Sequence, residues 1–251
     1  MTGKKKIYFA SDVHLGAPTI NNPKEHEKRF VSWLDSIKDS AIEIYLLGDI
    51  FDFWFEYKKV VPRGFTRLFG KLAEITDSGI PVHFFTGNHD IWVFDYLPNE
   101  TGVKVHREPL DITIDGKRFF LAHGDGLGNY DKTFNILKKV FTNKVAQWLF
   151  AHIHPNWGIG LATVWSKQSR EKNMVSHGSV FLGDDKEWLI LYAKEQLKTN
   201  HFDYFVFGHR HIVVQKEIGP NSQIVYLGDW VSNFTYGVWD GNQMTIEKYI
   251  E

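Results

Sequence analysis

The chain has 251 residues, of which 43% are hydrophobic and 24% charged, and its net charge is −1. That is globular composition with ample material for a core, and it excludes a disordered chain or a globally cationic nucleic-acid binder. Cysteine is absent, so disulfides and thiolate metal sites are excluded, leaving oxygen and imidazole nitrogen as metal ligands.

The basic start, Met1 to Lys6, is followed by a short apolar run, Ile7 to Ala10, that stops at Ser11-Asp12. The run is too short for a signal-peptide core and reads as a buried strand. No apolar run is long enough to span a bilayer, so a cytoplasmic protein, soluble or resting on a membrane surface, is expected. Phe30, Trp33, Leu34 and Ile37 recur at helical spacing, and Ile42 to Leu47 predicts the next strand. Phe65, Leu68, Phe69, Leu72 and Ile75 predict a second helix with Gly79 as its stop. Val82 to Phe85 is a third strand, and the βαβαβ order predicts a sheet flanked by helices.

The pattern then changes to hairpins and strands. Asp111–Ile114 and Arg118–Ala122 flank an Asp115-Gly116 turn. Phe202 to Phe207 and Ile224 to Leu227 read as strands, and Tyr236–Trp239 with Gln243–Glu247 as a last hairpin. The expected architecture is α/β: two packed mixed sheets flanked by helices. A single domain spans residues 1–251, with a helical lid inserted at about 131–200. Trp188, Leu191 and Tyr192 mark a helix near the end of that insertion, with Asp184 or Asp185 as its expected cap.

Five motifs sit where these strands stop: Asp12-Val13-His14, Gly48-Asp49 with Asp52, Gly87-Asn88-His89-Asp90, His123-Gly124-Asp125, and Gly208-His209-Arg210-His211. In α/β sheets, ligand sites form beyond the carboxyl ends of strands. A lone strand-end Asp is usually a turn former, but five such clusters in order can converge on one point. The residue types suit a dinuclear centre. A carboxylate can bridge two cations, and neutral imidazoles fill the remaining positions without adding charge. Seven other histidines, His26, His83, His106, His152, His154, His177 and His201, lie outside these motifs.

The ordered set DxH, GDxxD, GNHD, HGD and GHxH resembles the calcineurin-like metallophosphoesterase superfamily, whose fold is an α/β/β/α sandwich. The resemblance implies two divalent cations, Mn²⁺ first, with Fe or Zn as alternatives. It implies one cation on Asp12, His14, Asp49 and His211, and the other on Asp49, Asn88, His123 and His209. His89 would then lie near the scissile phosphate as proton donor or charge stabiliser, with Asp90 orienting it or a ligand.

The substrate must be read from the surroundings. Residues 131–172 carry Lys132, Lys138, Lys139, Lys144, Lys167, Arg170 and Lys172 against Asp131 and Glu171, with Phe134, Phe141, Trp148, Phe150, Trp157 and Trp165 interleaved. A basic, aromatic helical segment suits an anionic membrane surface or an amphiphilic substrate. Phe51, Phe53, Trp54, Phe55 and Tyr57 follow the second motif and are expected to help line an acyl-chain channel.

Leu47-Gly48-Asp49-Ile50-Phe51-Asp52-Phe53-Trp54, Asp77-Ser78-Gly79-Ile80-Pro81 and the lid position are similar to the UDP-2,3-diacylglucosamine hydrolases of lipid A biosynthesis. That resemblance implies cleavage of a pyrophosphate to UMP and 2,3-diacylglucosamine 1-phosphate at the cytoplasmic face of an anionic membrane. The near-neutral net charge predicts no nucleic-acid partner, and no obligate protein partner is inferred. Lys167, Phe141, Trp148 and Trp54 are the expected substrate contacts. The proteobacterial members of that family carry Arg where this chain has His89. The alternative is a phosphodiesterase or phosphatase acting on a soluble nucleotide or phosphoprotein. A metal-free scaffold and a nuclease are the remaining readings.

Overall fold

The computed structural model describes residues 5–128, 132–164 and 180–250, and of residues 132–135 the backbone alone. Two sheets stack face to face. The first has six strands in the order β11-β10-β1-β2-β3-β4. They are β1 (Lys6–Ala10), β2 (Ala41–Leu47), β3 (Val82–Phe85), β4 (Lys104–His106), β10 (Thr235–Trp239) and β11 (Met244–Lys248). The second has five in the order β5-β6-β7-β9-β8. They are β5 (Leu110–Ile114), β6 (Lys117–Ala122), β7 (Tyr204–Phe207), β8 (Val213–Gly219) and β9 (Ser222–Leu227). Helices α1 (Pro23–Ile37) and α2 (Thr66–Asp77) cover the outside of the first sheet, and α3 (Tyr96–Thr101) is a short turn after β3.

The continuous apolar strands follow from this layering, because each inner strand is covered on both faces. In β1, Tyr8 and Ala10 pack under α1 and α2 while Ile7 and Phe9 face the second sheet. In β6, Phe119 and Leu121 face the first sheet while Phe120 and Ala122 turn outward. The Asp115-Gly116 turn of the β5–β6 hairpin has both residues at positive φ, 49° and 77°, as a tight two-residue turn requires.

The expected helical insertion divides. Helices α4 (Lys132–Thr142), α5 (Lys144–Ala151) and α6 (155–164) stand over the strand ends, with Asn143 capping α5 through Val145 N–H and Ala146 N–H. Helix α7 (Trp188–Gln196) instead buries Leu189, Ile190 and Ala193 against the outer face of the second sheet, and so forms the fourth layer of the sandwich. Its N-cap is Glu187 and not the expected Asp184 or Asp185. No helix among the described residues is long and apolar enough to cross a membrane.

Strands β1 to β4 run parallel, and so do β6, β7 and β9. Their carboxyl ends therefore open on common edges, and the five motifs begin there.

Candidate dinuclear metal centre

The loops after β1 and β2 run side by side. Asp12 N–H donates to the Gly48 carbonyl at 3.0 Å, His14 N–H to Asp49 at 2.9 Å and Leu15 N–H to Ile50 at 2.9 Å. The loop after β7 is tied in by His209 N–H, which donates to Asp12 Oδ2 at 2.8 Å. Asp12, His14, Asp49, His209 and His211 all have positive φ, between 51° and 65°. Non-glycine residues avoid this region, at a cost of roughly 1–3 kcal/mol each, and it persists where surrounding bonds over-determine it. Two glycines allow the close approach. A Cβ on Gly87 would stand 2.2 Å from Asp49 Oδ1, and one on Gly208 would stand 2.6 Å from Asp12 Oδ2.

The side chains converge in two adjoining groups. In one, His211 Nε2 lies 3.1 Å from His14 Nε2 and 3.3 Å from Asp12 Oδ1. In the other, His123 Nε2 lies 3.2 Å from Asp49 Oδ2, 3.3 Å from His209 Nδ1 and 3.4 Å from Asn88 Oδ1. Asp49 Oδ2 joins them, lying also 3.8 Å from His14 Nε2. Donors held about 2.0–2.2 Å from a common ion sit roughly 3.0–3.5 Å apart, so both groups have the spacing of a coordination shell. Asp12 Oδ1 is buried and accepts no hydrogen bond, as expected of an atom reserved for a cation. The donor set is carboxylate, amide and imidazole, which fits divalent cations of the Mn, Fe and Zn kind.

Electrostatics fit as well. Burial pushes the Asp49 carboxyl up, but the imidazoles of His123, His89 and His14 outweigh it and hold the group well below the usual carboxylate range. Burial likewise opposes charge on His123, yet Asp49 raises it well above the ordinary imidazole value. His209 is lowered to about 4 by burial and by the neighbouring His123.

Partners outside the groups aim the ligands. His123 Nδ1–H donates to the Leu47 carbonyl at 2.8 Å, which leaves Nε2 for a cation. Asp229 Oδ2 lies 3.2 Å from His211 Nδ1, while its Oδ1 accepts from Val231, Ser232 and Asn233 N–H. His26 Nε2 lies 2.7 Å from the Val13 carbonyl and ties α1 to the first loop.

His89 stands edge-on to His14, with ring centroids 4.9 Å apart, and its Nδ1 lies 2.8 Å from the Asp52 carbonyl. Of the two roles expected for Asp90, its bonds match the orienting of a ligand and not of His89. Its carboxylate accepts from Gly87 N–H at 2.7 Å and Ile50 N–H at 2.9 Å, and from Asp49 and Phe51 N–H at 3.3 Å each. It clamps the backbone that presents Asp49, and Asp52 is the residue that orients His89. Burial and the facing Asp49 push the Asp90 carboxyl up to about 7, against the pull of those donors.

Trp54 also departs from expectation. It is fully buried among Phe51, Phe65, Phe69 and Tyr96, and its Nε1–H donates to Glu56 Oε1 at 3.1 Å. It is core and lines no channel. Phe141 is half-buried against Trp92 in an aromatic cluster with Phe53, Phe55, Tyr57 and Phe150. Trp148 is 60% exposed on α5. Lys167 lies outside the described residues.

Asp229 and Arg210 adjoin the centre, and motif reading gave neither a role. Asp229 carries a sequence signal, since Leu227-Gly228-Asp229 repeats Leu47-Gly48-Asp49 at another strand end. Arg210, between the two His ligand candidates, makes a buried bidentate pair with Glu187 at 2.8 and 3.0 Å and donates to the Val180 carbonyl at 3.0 Å. It thereby binds the return segment of the insertion to the metal-facing loop.

Comparison with known families decides the class, since residues 5–213 match the calcineurin-like phosphoesterases. The chain belongs to that family. Family membership makes it a hydrolase of phosphoester bonds and implies divalent metal ions. This phosphoesterase is 40% identical over 256 residues to a UDP-2,3-diacylglucosamine hydrolase of Porphyromonas gingivalis, covering 98% of each chain. It is 26% identical to one of Histophilus somni, covering 90% of this chain and 92% of the other. Among solved structures, the Escherichia coli phosphoesterase Yfce aligns with a TM-score of 0.47 at 14% identity, covering 97% of this chain and 92% of that one.

Proposed function

We propose that this phosphoesterase hydrolyses the pyrophosphate of UDP-2,3-diacylglucosamine, releasing UMP and 2,3-diacylglucosamine 1-phosphate. The observation that carries the proposal is the end-to-end similarity to the Porphyromonas hydrolase, which runs through the insertion as well as the motifs. The insertion supplies a second support. Val145, Trp148 and Leu149 on α5, and Trp157, Leu161 and Val164 on α6, are all exposed, with Trp157 at 73%. An exposed apolar face beside Lys139 and Lys144 suits acyl chains and an anionic membrane surface, where the enzyme would act as a peripheral protein.

In this reading Asp12, His14, Asp49 and His211 hold one cation, and Asp49, Asn88, His123 and His209 the other, with Mn²⁺ as the native metal. Two bound cations would supply charge for the phosphoryl oxygens and would acidify a water at the site. The protein's part is orientation. Asp90 fixes the Asp49 backbone, Leu47 and Asp229 fix two imidazoles, and His89 is aimed by Asp52. With Nδ1–H given to the Asp52 carbonyl, His89 delivers a proton from Nε2 as the imidazolium, which the Asp52 carboxylate 3.8 Å away favours. That proton would go to the oxygen leaving the cleaved phosphate.

The test is hydrolysis by the Mn²⁺-loaded protein of the diacylated UDP-sugar, of bis(p-nitrophenyl) phosphate and of a phosphopeptide, with products identified by mass spectrometry. UMP and the acylated sugar phosphate at the highest kcat/KM are expected. A higher kcat/KM on either soluble substrate would overturn the lipid reading in favour of the soluble one.

A further inference from the structure

Two histidines outside the metal motifs form a chain with a carboxylate. The parallel register sets Tyr45 opposite His83 and Phe85 opposite His106, so Glu43, His83 and His106 share the face turned toward the second sheet. His83 Nε2 lies 2.8 Å from Glu43 Oε1, and His83 Nδ1 lies 2.8 Å from His106 Nε2. His83 is buried and stacks on Tyr45, and His106 stacks on Phe85. Nothing in the metal centre uses them.

With both rings neutral, two imidazoles in series on a carboxylate admit one consistent arrangement of protons. Burial raises the Glu43 carboxyl, but the bond from His83 brings it below the usual value, so it is ionised and only accepts. His83 Nε2 must then carry the proton given to Glu43, which leaves His83 Nδ1 as a lone pair. His106 Nε2 must donate to it. The remaining nitrogen, His106 Nδ1, is then left as a bare acceptor, and burial lowers the pKa of that ring.

His106 also lines a cleft of about 250 Å³ between the ends of β3 and β4, the end of β6 and α4. His123 of the metal centre lines the same cleft, whose walls also carry Arg107 and Glu108 and the ion pair of Lys138 with Asp125 at 2.8 Å. At that volume it is at the small end of ligand clefts and suits one ring-sized polar group, not a diacylated sugar.

We propose that this cleft holds the uracil nucleotide half of the substrate, with His106 Nδ1 accepting the imide N3–H of the base and Glu43 and His83 setting the acceptor. The proposal rests on the UDP-sugar reading and adds the part of the site that selects the base. Uracil presents N–H at that ring position, whereas cytosine presents a lone pair, which would meet the lone pair of His106. A site built to pair one polar group rejects the analogue that lacks it, because a buried atom is then left unpaired.

The experiment is calorimetric titration of UMP and CMP into the full-length Mn²⁺-loaded protein. UMP should bind at least about tenfold more tightly than CMP. His106→Ala should bring the ratio close to one. Glu43→Ala should narrow the ratio as well, although residue 43 does not line the cleft, because His83 Nε2 then loses the acceptor that fixes the order of protons. ¹⁵N NMR of the unaltered protein should show His106 Nδ1 unprotonated. Equal affinities, a ratio kept by His106→Ala, or a protonated Nδ1 would overturn the proposal. The substrate reading fails separately, through inactivity on the acylated UDP-sugar, and a UMP preference would survive that failure.

Discussion

The strand-end centre and the helices α4 to α6 above it are held by opposite means. In the centre, Asp12, His14, Asp49 and His123 are buried and the other ligand candidates partly so, their backbones are bonded to neighbouring loops, and five have left-handed φ. In the helices, most large apolar side chains on α5 and α6 face outward. The contrast teaches that cation binding demands a pre-set geometry, while a surface meeting flexible acyl chains needs only apolar area and charge.

Five variants and one pH titration test this contrast. Asp49→Ala should remove both cations, since Asp49 adjoins both donor groups, and lower activity by at least about 10³-fold. Metal analysis by mass spectrometry checks it, and full occupancy in the variant would break the shared-bridge assignment. Uptake of metal by the unaltered protein should strengthen as pH rises, because His123, held well above its usual pKa by Asp49, must shed its proton to bind.

Glu187→Ala strands the buried Arg210 charge and should cost about 3–5 kcal/mol, read by urea unfolding. A cost below about 1 kcal/mol would mean that the pair does not anchor the return segment. His89→Ala should lower turnover roughly 10²-fold with metal content retained. Asp90→Asn should do the reverse, weakening metal affinity about 10–100-fold through the Asp49 loop. Equal loss of metal in His89→Ala would make His89 a ligand.

Trp148→Ala with Leu149→Ala is the mildest change. It should reduce binding to vesicles of anionic phospholipid several-fold while shifting stability by less than about 0.5 kcal/mol. Unchanged vesicle binding would remove the membrane from the picture and leave the strand-end centre as it is.

Much of the sandwich was legible because both faces of its inner strands are covered, so runs such as Ile44–Leu47 and Tyr204–Phe207 are apolar throughout. The misses have local causes. Strand β8 carries Gln215, Lys216 and Glu217 on a sheet edge, and β4 is only three residues long. Neither shows a clear apolar pattern. The start of α7 was misplaced because Asp184 looks like a cap, whereas its carboxylate is spent on Lys216 at 2.6 Å.

The sequence by itself determined which chemistry is available. Asp, His and Asn at strand ends, with glycines beside them and no thiols, restrict the centre to oxygen and nitrogen ligands. Only the tertiary structure decided which neighbours do other work. Trp54 sits beside a ligand loop yet is core, Asp90 grips backbone about 40 residues away, and Asp229 aims His211 from a different strand end. Residue type and spacing are properties of a short stretch of chain. Burial and hydrogen-bond partnership depend on distant segments brought together, and no local pattern encodes them.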